Sequence, residues 1–311
     1  MSRSAIETYF APEQFGAILE VKPISLGLSG ASVYDVATER GAYVLRVLAP
    51  HVQNWERQLA VLRLASDNGV APHIAQVDEA ERATISEKIA GDGFIGALRE
   101  AAERGPAIMS LVDQLAKMHA IPAAEIVALD PLTVVRELWN AQSSRPGFPE
   151  WATSLNNKFA AFDEILLKDE RRVLSHNDLN PANILWDGQR VWLVDFEASA
   201  RTHPYYDLAT ISVFLSLPTE SAIGLLAKQE SARITVDQVE TFNCLRTVAT
   251  ILYGLTFLSI VPDLQQLPTT TLEETSTLSD CYGMMSTGKL VLQNASGQGA
   301  MGKAFLKLAV D

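Results

Sequence analysis

Apolar positions along the chain change their spacing near residue 90, and the predicted elements change with them. In VKPISLGLSGASVYDVATERGAYVLRVLAP, residues 21–50, β-branched and aromatic residues recur between turn signals at Gly27, Gly30 and ERGA. That pattern predicts three short strands in an antiparallel meander. In NWERQLAVLRLASDNGVAP the positions Leu59, Leu62 and Ala65 follow helical spacing and stop at Gly69 and Pro72. This predicts one helix closed by a C-terminal glycine. HIAQVDE and RATISEKIAG read as two further strands, so a small sheet with one helix fills roughly the first 88 residues.

Beyond IAGDG, the candidate hinge, helical periodicity takes over in FIGALREAAERG, AIMSLVDQLAKMHAI, LTVVRELWNAQ, WATSLNNKFAAFDEILLKD and most of the chain after Tyr205. The middle is an exception. RVLSHND, ANILWD and RVWLVDF are short β-like runs, and the Asp-Gly pair of WDGQR predicts a hairpin turn. The expected class is therefore α+β, with residues 1–90 forming a sheet lobe and residues 91–311 a mostly helical one. PTTTLEETSTLSD is a polar surface connection.

Composition narrows the function classes. The chain of 311 residues is 48% hydrophobic and 20% charged, ordinary for a globular protein. Its net charge of −12 and its scattered Lys and Arg argue against a nucleic-acid partner. A cationic small molecule suits that balance. The N-terminus has no apolar signal core and no window is long and apolar enough to span a bilayer, so no membrane association is predicted. Cys244 and Cys281 match no metal or redox spacing and are expected as reduced, buried thiols in a cytoplasmic protein.

The chemistry lies in HNDLNPAN, followed by VDFE. Four residues separate Asp178 from Asn183, and Asp195 ends the apolar run after the hairpin turn. Asn183 and Asp195 can hold Mg²⁺, which takes one or two hard oxygen ligands from protein and the rest from water and phosphate. Asp178 is then left to accept the proton of an attacking hydroxyl. Taken alone, the loop also reads as an Asx-rich turn. Upstream, backbone N–H groups of LGLSGAS, from Gly27 through Ser29 and Gly30 to Ser32, can approach phosphates, or the loop is an ordinary hairpin turn.

Together, HNDLNPAN, VDFE, the glycine-turn sheet, VAP and LAKMHAIP resemble, in order, the protein-kinase-like small-molecule kinases of the aminoglycoside phosphotransferase and choline/ethanolamine kinase group. The resemblance implies a two-lobed fold, with a small antiparallel-sheet N-lobe that binds nucleotide and a helical C-lobe. It implies ATP and Mg²⁺ as cofactors and a small-molecule hydroxyl acceptor, a choline- or ethanolamine-like amino alcohol before an aminoglycoside or other sugar amine. A nucleotide-binding pseudokinase is the alternative from another class.

Carried over residue by residue, the resemblance makes Asp178 the general base, Asn183 and Asp195 the metal ligands, and His176 a loop-bracing residue tied down by Asp207. Arg46 replaces the third-strand lysine of protein kinases and is assigned to the nucleotide phosphates. On the next helix Gln58 stands where the family pattern has glutamate, while Glu56 lies two residues earlier and about 200° around the helix. Either can partner Arg46, with Glu56 the carboxylate choice. Backbone groups of Glu87 to Ile89 are assigned to adenine. Glu197 faces metal-bound water or a cationic acceptor, or pairs with Arg201. Tyr253 and Phe257, one helical turn apart, are the aromatic candidates for the acceptor or ordinary core.

Overall fold

The structure, a computed structural model, describes residues 1–24, 31–50, 52–91, 93–230 and 233–310. The chain opens with two short helices that the periodicity does not predict, α1 (Arg3–Glu7) and α2 (Pro12–Phe15). Then come β1 (Ile18–Ile24), β2 (Ala31–Thr38), β3 (Gly41–Leu48), α3 (Trp55–Asp67), β4 (Ile74–Asp78), β5 (Ala83–Glu87), α4 (Gly93–Arg99) and α5 (Ala101–His119). Next are α6 (Pro131–Gln142), a 3-10 segment (Glu150–Lys158), α7 (Phe159–Leu166) and β6 (Val173–Ser175). β7 (Ile184–Trp186), β8 (Val191–Leu193) and β9 (Ala200–Thr202) follow, then α8 (Tyr206–Phe214), α9 (Thr219–Glu230), α10 (Val236–Ser259), α11 (Leu278–Ser286) and α12 (Ala295–Val310).

These elements pack as two compact units. One comprises Met1–Pro122 with Pro181–Ser199, the other Ala123–Asn180 with Ala200–Asp311. The change from sheet to helix falls between β5 and α4. The unit that carries the sheet nevertheless continues through α4 and α5 and takes in the β7–β8 hairpin. Among the described residues no helix is long and apolar enough to cross a membrane.

In the first unit the strands run in the order β1-β2-β3-β5-β4, all antiparallel neighbours. Strand alternation gives the sheet two different faces. Tyr34, Val36, Leu45 and Ile85 are buried with Ile6, Phe10 and Phe15 of the N-terminal helices, and Phe15 meets Tyr43 edge-on at 5.0 Å. Leu45 pairs with Tyr34, and Arg46 pairs with Val33 and Thr84, so Arg46 belongs to the opposite face. The α1–α2 pair thus exists to cover an apolar sheet face, a tertiary demand that leaves little local periodicity in nine helical residues.

α3 ends as its glycine predicts. Gly69 has φ +65°, its N–H bonds to Ser66 O at 3.0 Å, and Val70 N bonds to Ala65 O at 2.8 Å. The carbonyl of Val70 then accepts Leu193 N of β8 at 3.0 Å, fastening the hairpin to the end of the helix. The hairpin turn itself is stabilised by Asp187, whose Oδ1 accepts the N–H groups of Gln189 and Arg190, both at 2.8 Å.

Two helical boundaries differ from the sequence pattern. The break expected at Gly105-Pro106 falls at Glu100, whose extended backbone separates α4 from α5, and Pro106 sits near the N-terminal end of α5 where a missing N–H removes a single helical bond. Residues 150–158 form tighter 3-10 turns instead of the α-helix that the pattern predicts.

In the second unit β6 pairs with β9, a strand too short to announce itself in sequence. α8 is buried on every side, and α10 packs against α6, α8 and α12. Cys244 and Cys281 are buried free thiols, and burial raises their pKa values to about 12 and about 11.

Gly91, in the connection between sheet and helices, has φ +144°, and a Cβ there would lie 2.1 Å from the carbonyl oxygen of Trp186 on β7. Neither the backbone angle nor the contact admits a side chain. Gly91→Ala is expected to destabilise the protein by about 2–3 kcal/mol, the scale of one strained backbone position, and to lower the melting temperature by several degrees in a thermal unfolding scan.

Candidate active site

Strand alternation that buries Leu45 turns Arg46 toward a cavity of about 340 Å³ in the first unit. Apolar side chains of Ile24, Val33, Val44, Leu185 and Leu193 line it together with Arg46, Asn183 and Asp195. Mixed linings of this kind, mostly apolar with a few polar groups, suit a small ligand.

Arg46 organises the polar part. Its Nη1 donates to Gln58 Oε1 at 3.2 Å, and its Nη2 to Asp195 Oδ1 at 3.1 Å, with Glu197 Oε2 at 3.8 Å. Gln58 is only 4% exposed and its Nε2 donates to Gln53 O at 3.4 Å, so both ends of its amide are engaged. Glu56, the carboxylate choice, is exposed on the first turn of α3. The helix register that buries Trp55, Gln58 and Leu59 turns position 56 outward, and the partner of Arg46 is the neutral amide.

Asn183 and Asp195 come together through the hairpin. Ile184 pairs with Leu193, and Val194 N bonds to Asn183 O at 3.0 Å, so the two residues flank the open end of the β7–β8 ladder. Asp195 has φ +65°, in the left-handed region that side chains other than glycine rarely adopt. Glu197 follows in a short 3-10 turn, where its carbonyl accepts Arg57 Nη2 at 3.0 Å and its carboxylate lies near Arg46.

Other predicted nucleotide contacts divide. Glu87 and Ile89 line the cavity. The N–H of Glu87 is engaged by His73 O and that of Lys88 by Ala42 O, both at 2.9 Å, and among the described residues the N–H of Ile89 makes no backbone hydrogen bond. Ser32 lies exposed at the start of β2, away from the cavity lining. Gly27, Ser29 and Gly30 lie outside the described residues.

In the second unit the loop that carries Asp178 is tied by one carboxylate. Asp207, in the first turn of α8 and fully buried, accepts His176 N at 3.0 Å and Asn177 N at 2.8 Å. Asn177 adopts φ +68°, and its Oδ1 accepts the hydroxyl of Thr202 on β9 at 2.7 Å. His176 is fully buried and its Nδ1 lies 3.4 Å from the backbone N of Asp178.

Tyr253 on α10 donates its hydroxyl to Asp178 Oδ1 at 2.9 Å. Its ring meets Phe214 edge-on at 4.6 Å and Phe305 at 5.6 Å, and Phe257 stacks on Phe305 at 5.8 Å. Burial first, and then the Asp178 carboxylate, hold the Tyr253 phenol well above its ordinary pKa, so it remains a donor. Sequence reasoning places Tyr253 and Phe257 together but misses the bond to Asp178, which spans 75 positions and leaves no trace in local spacing.

The fold and these groupings have relatives. A choline/ethanolamine kinase family protein from Mesorhizobium loti is 17% identical, with 92% of each chain covered and a TM-score of 0.66. The choline kinase LicA from Streptococcus pneumoniae is 14% identical over 82% of this chain and 87% of its own, with a TM-score of 0.63. A spectinomycin phosphotransferase is 15% identical over 99% of both chains, with a TM-score of 0.55. No curated protein sequence matches the chain. At these identities the solved structures show a shared kinase-like, two-lobed α+β fold. The sequence itself matches the model of the phosphotransferase enzyme family over residues 20–237. The chain belongs to the phosphotransferase enzyme family.

Proposed function

We propose that this phosphotransferase uses ATP and Mg²⁺ to phosphorylate the hydroxyl of a small metabolite, an amino alcohol of the choline or ethanolamine kind, in the cytoplasm. The observation that carries the reading is the set of Arg46, Asn183 and Asp195 on one apolar-walled cavity. A fixed guanidinium suits phosphate oxygens, and an amide and a carboxylate are the hard oxygen ligands that magnesium takes. Glu87 and Ile89 of the same cavity offer backbone groups to the adenine edge.

Asn183 and Asp195 fit a magnesium ion by donor chemistry, and the neighbouring carboxylate of Glu197 adds negative charge for it. When bound, the ion supplies charge neutralisation on the phosphates. Arg46 would offer its guanidinium donors to the phosphates beside that ion. Asp178 accepts the proton as the acceptor oxygen bonds to the γ-phosphorus, the bond to the bridging oxygen breaks, and ADP leaves. Asp207 and His176 brace that loop. The structure of LicA in complex with AMP and the spectinomycin phosphotransferase complex with ADP are consistent with nucleotide use in this fold.

The amino-alcohol choice is supported by the half-buried aromatic rings of Tyr253 and Phe257, candidates for a cation's aromatic contacts that pack against the buried Phe305. The net charge of −12 favours a cationic acceptor. The chain has no tryptophan after Trp192, which leaves Phe and Tyr to supply these contacts. A sugar amine is the second reading, favoured by the match to the spectinomycin phosphotransferase over 99% of both chains.

ATP consumption measured across choline, ethanolamine, other amino alcohols and sugar amines tests the proposal. Turnover with an amino alcohol is expected. Bound nucleotide without turnover on any acceptor would leave a binding module in place of an enzyme. Asp178→Asn is expected to lower turnover by at least about 100-fold while the nucleotide Kd, measured by titration calorimetry, stays within about twofold. Arg46→Ala is expected to raise the nucleotide Kd about tenfold or more. It also strands the buried amide of Gln58, so a stability loss of about 1–3 kcal/mol should accompany it in denaturant unfolding.

A further inference from the structure

The hydroxyl of Tyr253 has a task that its aromatic ring does not explain. We propose that Tyr253 is a positioning residue for Asp178: its phenol fixes the plane of the base carboxylate, in addition to any use of its ring as a face for the acceptor. This rests on Asp178 being the base of the reaction proposed above.

The backbone and the side chain of Asp178 are held by different elements. Asp207 of α8 secures the N–H groups of the two residues before it, at 3.0 and 2.8 Å, and so sets where the Asp178 backbone lies. Those bonds leave rotation about the Asp178 side chain undetermined. Tyr253 of α10 supplies a bond at that side chain, from its hydroxyl to Oδ1 at 2.9 Å. The donor is itself immobilised, because its ring is packed edge-on against Phe214 at 4.6 Å and tilted against Phe305 at 5.6 Å. A partner held this tightly limits rotation of the carboxylate.

Orientation is what this reaction asks of its base. The transferred phosphoryl group passes through a loose transition state in which little proton transfer is needed early, so the acceptor hydroxyl must chiefly be aimed. A rigid donor on the carboxylate serves that alignment. Nor is the bond a general consequence of placing phenols near the loop. Tyr206 feels the charge of Asp178 and is 1% exposed, yet its hydroxyl has no hydrogen-bond partner among the described residues.

Tyr253→Phe tests the proposal because it keeps the ring and removes only the hydroxyl. Steady-state kinetics are measured with the acceptor found in the panel, or with water as acceptor through ATP hydrolysis. Tyr206→Phe serves as the comparison and Asp178→Asn as the reference. For Tyr253→Phe, kcat per folded molecule is expected to fall about tenfold, with the KM for ATP, and for the acceptor where one is used, within about twofold and a melting temperature lowered by no more than a few degrees. A tenfold loss corresponds to about 1.4 kcal/mol in the barrier. Tyr206→Phe is expected to keep wild-type kcat. Wild-type kcat and KM in Tyr253→Phe would overturn the proposal and leave the ring as an acceptor face. A raised KM at constant kcat, or a lower melting temperature with unaltered kcat per folded molecule, would overturn it in favour of substrate contact or packing. If instead Asp178→Asn were as active as wild type, the assignment of the base would fail, a result that Tyr253→Phe cannot mimic.

Discussion

A carboxylate with no exposed surface must be met by donors, and Asp207 is met by two backbone N–H groups of the loop that bears Asp178. That requirement holds the Asp178 loop of the second unit. Asp207 occupies the first turn of α8, where the helix dipole favours a negative charge, and α8 is buried on all sides, so the carboxylate cannot drift. Its pull on His176 N and Asn177 N keeps Asn177 in the left-handed region, where Thr202 on β9 secures the side chain. A loop of polar residues thereby acquires the rigidity of the helix beneath it.

The first unit solves a different problem, the placement of a permanent cation. In a lysine–glutamate pair the charges cancel locally. Here Arg46 meets a neutral amide in Gln58, and its charge is balanced by Asp195 and Glu197 after the hairpin. One cation faces two carboxylates, an excess of negative charge that a divalent ion would relieve. The left-handed backbone at Asp195 belongs to the same arrangement, since it turns the chain sharply between β8 and the 3-10 turn that carries Glu197. Such strain persists only where the surroundings determine it, and the hairpin, α3 and Arg46 together supply that constraint.

Period and punctuation made much of this legible. Alternation in YVLRVL is enough to place Arg46 on the face opposite Leu45, and the glycine after α3 marks the stop that the structure has. Resemblance in HNDLNPAN and VDFE reached the family, which the match over residues 20–237 shows. What stayed hidden depends on packing at long range. The helices α1 and α2 form because a sheet face must be covered, and β9 forms because β6 needs a partner. Gln58 rather than Glu56 meets Arg46 because tertiary burial of Trp55 and Leu59 sets the helix register, information absent from residues 56–58 themselves.

The motif HNDLNPAN is read as one unit in sequence, yet its residues are stabilised by separate bodies. The chain passes from the second compact unit to the first between Asn180 and Pro181. Asp178 depends on α8 and α10, whereas Asn183 depends on the β7–β8 hairpin and the end of α3. The four residues between Asp178 and Asn183 therefore contain the point where the chain leaves one unit for the other. Packing around α10 bears on the side chain of Asp178, while packing around the hairpin bears on Asn183 and Asp195. The proline at position 181 suits the crossing point, because it limits the conformations available to the linker without requiring a backbone donor there.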